Sequence, residues 1–190
     1  MIDTSSPRSA LALVIDGRPS TEDILLGGRE HDLPRRALAL ADPRDLRAVA
    51  VSLGPGSFTG LRVGVSYGVG LAMGLGIPLL GLGSLELQAA RSDEPVTALV
   101  EAGRGRLYWQ APDEEPRLGD LAELPRRLPA VGWLGPATAE AARAAGVRLL
   151  AEEELKGFAQ AAAGCLGSAE ELDYDTVELK YMQSVRTMRD

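Results

Sequence analysis

The stretch Ser52–Pro78, SLGPGSFTGLRVGVSYGVGLAMGLGIP, decides which fold the chain adopts. It begins at the end of a buried, β-branched segment, passes through a turn rich in glycine and proline, and continues as an apolar run of helical length. Pro55 fixes one φ angle of the turn, and Ser57 or Thr59 is placed to cap a helix. The stretch therefore predicts a strand–turn–helix unit, and Pro78 predicts the point where the helix has ended and the next strand begins.

The turn in this stretch departs from both common phosphate-binding templates. A Walker loop requires a lysine and a hydroxyl residue after its last glycine, whereas Leu61 and Arg62 follow Gly60. A dinucleotide loop requires Gly-x-Gly-x-x-Gly, and Gly54, Gly56 and Gly60 contain one residue too many. Amides at a helix N-terminus still attract anions. A degenerate anion site therefore stays open, with the candidate residues Asp3, Thr4, Ser5, Gly56 and Ser57.

Small residues recur at every fourth position of the predicted helix: Gly60, Gly64, Gly68, Ala72 and Gly76. Side chains four apart share one helix face, so this face is a strip of bare backbone. Interior glycines destabilise a helix, which indicates close approach by a neighbouring element. That neighbour is either the sheet of the same chain or a helix of a partner. The remaining faces are also apolar, and we expect an exposed apolar patch, which typically marks a protein interface.

Composition excludes several classes of protein. The net charge is −7, and both halves of the chain are acidic, so the chain alone is a poor partner for nucleic acid. One cysteine, Cys165, allows no internal disulfide, and one histidine, His31, allows no multi-histidine metal site. Residues 63–85 carry no charge, but Pro78 interrupts them, so we expect no membrane span. The start MIDTSSPRSA is unlike a signal peptide, and the sequence predicts a cytoplasmic protein without metal or cofactor.

The order of predicted elements indicates an α/β chain with two lobes, residues 1–95 and 96–190. In the first lobe we predict strands at 9–16, 22–27, 46–54 and 77–82, and helices at 33–41, 60–76 and 84–91, the last capped by Ser84. In the second we predict strands at 96–102, 106–111, 130–135 and 147–150, and helices at 136–145 and 153–166. The tail after Gly167 is polar, with one extendable piece, TVELKYM.

Three segments resemble the TsaB (YeaZ) family. They are IDTSS at Ile2–Ser6, GPGSFTGLRVGVSYGVGLAMGLGIPLLGLGSLE at Gly54–Glu86, and EAGRGRLYW at Glu101–Trp109. The resemblance implies an actin/Hsp70-like (ASKHA) fold of two RNase-H-like lobes with mixed sheets flanked by helices. It implies a non-catalytic scaffold that binds TsaD, together with TsaE, in threonylcarbamoyl transfer to the adenosine beside the anticodon of tRNA. The chain would meet tRNA only within that complex and would form a homodimer when TsaD is absent.

The resemblance also implies which residues meet a partner. By position, the family's interface maps to the segments around Leu33–Ala41 and Gly60–Gly76. The partner-binding candidates are Leu33, Arg36, Ala37, Gly60, Leu61, Val63, Gly64, Tyr67, Gly68, Leu71 and Ala72. Weak nucleotide binding at this interface is also implied. The alternative function is a nucleotide-binding hydrolase or protease-like enzyme of the same fold, which only Asp3 and the Gly54–Gly60 turn support.

The chain departs from the family pattern at four places. The helix after His31 is about two turns short, and Gly103 stands where the family has arginine. Leu179 and Gln183 replace a proline and an arginine near the C-terminus, although Tyr181 is retained. Because that helix supplies half of the implied interface, this half departs most from the family pattern.

Overall fold

The computed structural model describes residues 1–26 and 32–179. His31, Tyr181 and Gln183, which the sequence analysis discusses, lie outside the described residues. No helix within these ranges is both long enough and apolar enough to span a membrane.

The first part of the chain builds most of a six-stranded sheet. Its strands are β1 (Ile2–Asp3), β2 (Arg8–Ile15), β3 (Arg18–Leu26), β4 (Val49–Ser52) and β5 (Leu79–Leu82). Its helices are α1 (Leu33–Leu40), α2 (Phe58–Leu75) and α3 (Ser84–Ala89). The three segments β1, β2 and β3 pair antiparallel, whereas β1, β4 and β5 pair parallel.

The second part builds a four-stranded sheet and then returns to the first. Its strands are β6 (Thr97–Gly103), β7 (Arg106–Gln110), β8 (Arg117–Asp120) and β9 (Ala130–Val131), followed by helix α4 (Pro136–Ala144). The chain then forms α5 (Phe158–Cys165), which packs on β2 and β3, and β10 (Glu170–Leu172), which pairs with β5. Residues after position 157 therefore lie against the first sheet, and the division into lobes at residues 95 and 96 stays a prediction.

The two sheets repeat one topology. The first has the order β10–β5–β4–β1–β2–β3, and the second has the order β8–β7–β6–β9. In the first half, neighbouring strands follow the order β3, β2, β1, β4, and in the second half they follow the order β8, β7, β6, β9. In each half, the fourth of these strands pairs parallel with the strand that comes first in that half of the chain. A bridge from Ala130 to Leu149 stands where the fifth strand would be. The halves share a backbone pattern that their sequences do not display.

The elements stack in layers, with helices on both faces of the first sheet. Because side chains alternate along a strand, Val49 and Val51 of β4 pack in the cluster below α2, while Ala50 packs in the cluster with α5. Helices α3 and α5 lie between the two sheets, since α3 contacts β6 and β7 while α5 contacts β2 and β3. Helix α4 covers the outer face of the second sheet, where Ala142 joins the core.

Most predicted elements are present, with several local corrections. Ser57 caps α2 as predicted, its Oγ accepting from the Gly60 amide, and Pro136 begins α4. Ser84 is not the N-cap of α3, because that position belongs to Gly83. Helix α5 begins at Phe158 rather than at residue 153, since Glu152–Glu154 form a separate turn. Strands β1, β8 and β10 were not predicted, and the predicted strand at 147–150 is only a single bridge from Leu149 to Ala130. Strand β10 was missed because its residues are polar or half-buried at a sheet edge.

Candidate partner-docking site

Helix α2 lies directly on the first sheet through its strip of small residues. A Cβ added at Gly60 would collide with the Thr4 carbonyl, and one added at Gly64 would collide with the Thr4 hydroxyl. That hydroxyl in turn donates to the Gly60 carbonyl at 2.7 Å. Farther along, a Cβ at Gly68 would overlap Val51 of β4. The glycines therefore allow the helix backbone to approach β1 and β4 of its own sheet.

The interpretation of this strip as a partner-binding face is thus wrong. The candidates that face inward are buried: Leu33, Gly60, Leu61, Gly64, Gly68 and Ala72. Gly76 does not belong to the strip, because it ends the helix in the left-handed conformation with φ of 64°. Of the two neighbours that the sequence left open, the structure selects the sheet of the same chain.

The other candidates remain at the surface. Val63, Tyr67 and Leu71 of α2 and Arg36 and Ala37 of α1 are half-buried. Arg36 pairs with Asp23 of β3, which ties α1 to the sheet edge. Burial raises the pKa of the Tyr67 phenol above its usual value, so its hydroxyl stays protonated at neutral pH.

A cleft of about 710 Å³ lies beside these residues, between α1, α2 and the end of the β2–β3 hairpin. Ala37 and Leu38 line it from α1, and Tyr67 and Leu71 line it from α2. Leu38 is 57% exposed, and Ile15, on the hairpin side, is 52% exposed. Large apolar side chains at such exposure around one concavity are typical of a protein interface. The sequence analysis missed Ile15 and Leu38, because each lies in an apolar stretch of its element and directly follows a half-buried residue, so the pattern did not indicate its exposure.

The outer face of α2 carries two further exposed apolar side chains, which lie outside the cleft lining. Met73 is 54% exposed, and Phe58 is 53% exposed at the first position of the helix. The guanidinium of Arg62 lies 3.8 Å from the centre of the Phe58 ring, a cation–π contact one turn apart. The cleft itself carries charges of both signs, since Asp16, Asp42, Asp45 and Arg47 belong to its lining.

The predicted anion site is not formed by its candidate residues. Asp3, Thr4 and Ser5 are buried, and the Ser5 carbonyl accepts from the Ser57 amide at 2.7 Å. The amide of Ser57, the N-cap residue of α2, is therefore already satisfied within the chain. Gly56 lies against the same Ser5 carbonyl, so its lack of a side chain serves a close backbone contact rather than a ligand.

The Asp3 carboxyl is the most perturbed acid near this turn. Its Oδ1 accepts from the Ser52 hydroxyl at 2.6 Å and from the Ser5 amide at 3.0 Å. Complete burial raises its pKa above the usual value, although the Ser52 and Ser5 hydrogen bonds act in the opposite direction. A carboxyl shielded from solvent in this way supports the end of β1 rather than an open site.

The single cysteine, Cys165, is buried in the core. Burial raises the pKa of the Cys165 thiol to about 11, and the nearby Glu86 adds to the shift. Within residues 1–26 and 32–179, no three His, Cys, Asp or Glu side chains are grouped as a metal site would require.

Among the proteins that this chain resembles in sequence, two carry the same name. The chain is 34% identical over 117 residues to the tRNA threonylcarbamoyladenosine biosynthesis protein TsaB of Bacillus subtilis, covering 56% of this chain and 51% of that protein. It is 32% identical over 122 residues to TsaB of Escherichia coli, covering 57% and 52%. The chain spans about half the length of the curated relatives it matches. A family model described as TsaD, tRNA N6-adenosine threonylcarbamoyltransferase, matches residues 35–121.

The fold matches over nearly the whole chain. A crystal structure of a Pseudomonas aeruginosa protein described as similar to the peptidase YeaZ superposes with a TM-score of 0.69 at 21% identity, covering 96% of this chain and 97% of that one. A structure of YeaZ from the same organism gives a TM-score of 0.66 at 22% identity, covering 95% and 97%. These matches confirm the predicted α/β, actin-like (ASKHA) fold, including the half of the chain where sequence similarity is weak.

Proposed function

We propose that the chain is a member of the TsaB (YeaZ) family and that it is the non-catalytic scaffold of a tRNA threonylcarbamoyladenosine synthesis complex. In this role it binds TsaD, with TsaE, and supports threonylcarbamoyl transfer to the adenosine beside the anticodon. The chain contributes a docking surface, and it requires no metal or cofactor of its own. Its net charge of −7 favours contact with tRNA through the complex rather than directly.

The observation that carries the proposal is the apolar cleft between α1 and α2. Ile15 and Leu38 stand exposed at it, and Met73, on the outer face of α2 outside the cleft, is a third exposed apolar side chain of the proposed surface. Apolar area left in water costs free energy at roughly 25 cal/mol per Å², and a partner that covers it recovers that energy. The half-buried residues Tyr67 and Leu71 form the wall that a partner helix would contact.

The short α1 explains why this surface is concave. Helix α1 ends at Leu40, and the chain continues through the turn Pro43–Asp45 to β4. The cleft lies along this turn and the last residues of α1. We propose that TsaD fills the cleft in the complex, and that a second copy of this chain covers the same surface when TsaD is absent.

Co-purification with TsaD of the same organism tests the docking surface. Leu38→Glu and Met73→Glu place a carboxylate on exposed positions of the proposed surface, and each should weaken TsaD binding at least tenfold while the thermal midpoint changes little. Ala144→Glu is the matched control, because Ala144 is exposed on α4 at the far side of the second sheet. Light scattering of the isolated chain should show the same two variants shifting a homodimer toward monomer.

A reconstituted transfer assay tests the scaffold role. Threonylcarbamoyl transfer by TsaD and TsaE should depend on this chain and fall in proportion to the lost TsaD binding. Unchanged binding by both glutamate variants would remove the docking surface. Full transfer in the absence of the chain would remove the function.

A further inference from the structure

The chain runs from the first sheet to the second and later returns to the first. One buried arginine contacts both of these connecting segments. We name residues 90–96, which lead from α3 to β6, the first crossing, and residues 150–157, which lead back to α5, the second crossing. Arg91 belongs to the first crossing and is only 2% exposed. Its Nε donates to the Lys156 carbonyl at 3.1 Å, and the Arg91 carbonyl accepts from the Lys156 amide at 2.8 Å.

A carboxylate of the second crossing completes the contact. Arg91 Nη2 lies 2.5 Å from Glu152 Oε2, and Nη1 lies 3.3 Å from Oε1 of the same residue. This two-pronged geometry is the strongest form of an arginine–carboxylate pair. Glu152 Oε1 also accepts from the Trp133 indole at 2.7 Å, which ties the pair to the segment that follows β9. A second ion pair, from Lys156 to Asp93 at 2.5 Å, joins the crossings nearer the surface.

Aromatic rings from both sides close over the guanidinium. Its carbon lies 4.5 Å from the centre of the Phe158 ring and 5.3 Å from that of Trp133. The two rings are 4.4 Å apart, and they form one cluster with Ala10 and Ala12 of β2. Phe158 begins α5 on the first sheet, whereas Trp133 follows β9 of the second. The cluster therefore joins the sheets at the position of the crossings.

We infer that Arg91 locks the two crossings together and so fixes the angle between the sheets. Two chain passages are the natural hinge of a two-sheet molecule, because the sheets can rotate only if the passages move relative to each other. The reciprocal bonds with Lys156, the paired Glu152 carboxylate and the flanking rings all oppose that movement. The chain thus presents its surfaces as one rigid body. This inference does not rest on the proposed function.

Hydrogen exchange and tryptophan quenching test the lock. The experiment uses a Trp109→Phe background, so that Trp133 is the single tryptophan of the chain. Arg91→Met should raise amide exchange in residues 90–96 and 150–157 at least tenfold and at least double the acrylamide quenching of Trp133. Peptides covering β4 and β6 should exchange as in the parent. Arg44→Met, which breaks an exposed pair with Asp42, is the matched control and should change neither measurement.

Two milder variants keep the test decisive if Arg91→Met does not fold. Arg91→Lys keeps the charge but loses the two-pronged geometry. Glu152→Gln acts at a side chain that is 45% exposed, and it weakens the pair without emptying the core. Both should accelerate exchange at the two crossings by a smaller factor than Arg91→Met. Acceleration spread evenly over both sheets, or no acceleration at the crossings in any variant, would overturn the lock.

Discussion

Two glycines in α2, only two residues apart, should respond oppositely to the same substitution. A Cβ at Gly68 would overlap Val51 and come within 3.5 Å of Val49 and 3.7 Å of Ile2, all three of which are core residues. A Cβ at Gly70 would meet nothing within 4 Å, because Gly70 is exposed. The pair therefore separates helix propensity from packing against the sheet.

The expected magnitudes follow from these contacts. Replacing an exposed helical glycine by alanine raises stability by roughly 0.5–1 kcal/mol. Gly68→Ala gains the same propensity but adds a methyl group to a full core, which costs about 1–3 kcal/mol. The two variants should therefore differ by about 2 kcal/mol in the free energy of unfolding. With a urea slope of about 2 kcal/mol per molar, their midpoints would lie about 1 M apart.

Urea unfolding of the isolated chain, followed by circular dichroism at low protein concentration, measures this difference. Gly70→Ala should unfold at higher urea than the parent, and Gly68→Ala at lower urea. If both variants are stabilised equally, Gly68 does not face the sheet, and the strip of small residues is available to a partner after all.

Three further predictions concern single side chains. Burial raises the pKa of Asp3, so its contribution to stability is present at low pH and lost as the pH rises through the folded-state pKa. Asp3→Asn should therefore gain stability relative to the parent between pH 4 and pH 8. A difference in thermal midpoint between the two proteins that stays constant over this range would contradict this. Cys165, with a pKa of about 11 and 4% exposure, should resist a disulfide reagent at pH 8 until the chain is denatured, whereas rapid labelling of the native chain would show an open thiol. Tyr174→Phe removes the hydrogen bond at 2.5 Å to the Ile77 carbonyl and should cost about 1 kcal/mol in urea unfolding; an unchanged midpoint would place the segment after β10 elsewhere.

Local structure could largely be predicted from the sequence. The turn at Gly54–Ser57, the cap by Ser57 and the end of α2 before Pro78 all depend on neighbours in the chain, and all are present. The start of α4 at Pro136 is of the same kind. Strand β10 could not be predicted, because its pairing with β5 joins residues about ninety positions apart and its own side chains carry no alternation.

The candidate site was predicted only in part, because a residue pattern identifies a helix face but not what that face meets. Val63, Tyr67, Leu71, Arg36 and Ala37 remain at the surface, as an interface requires. The glycines of the same helix are buried on β1 and β4. The exposed apolar residues Ile15 and Leu38 come from separate elements and become neighbours of one cleft only after the hairpin and α1 have packed.

The sequence by itself determined the strand–turn–helix unit of Ser52–Pro78, the acidic charge and the small residues at every fourth position, since each of these is a property of residues near in the chain. The tertiary structure decided that the small residues serve the sheet below α2, because only there does a backbone approach closely enough to exclude a Cβ. It also decided that Arg91, which no motif marks, joins the two crossings. Burial and contacts between distant segments arise only when the whole chain folds, and they determine which neighbour each local pattern contacts.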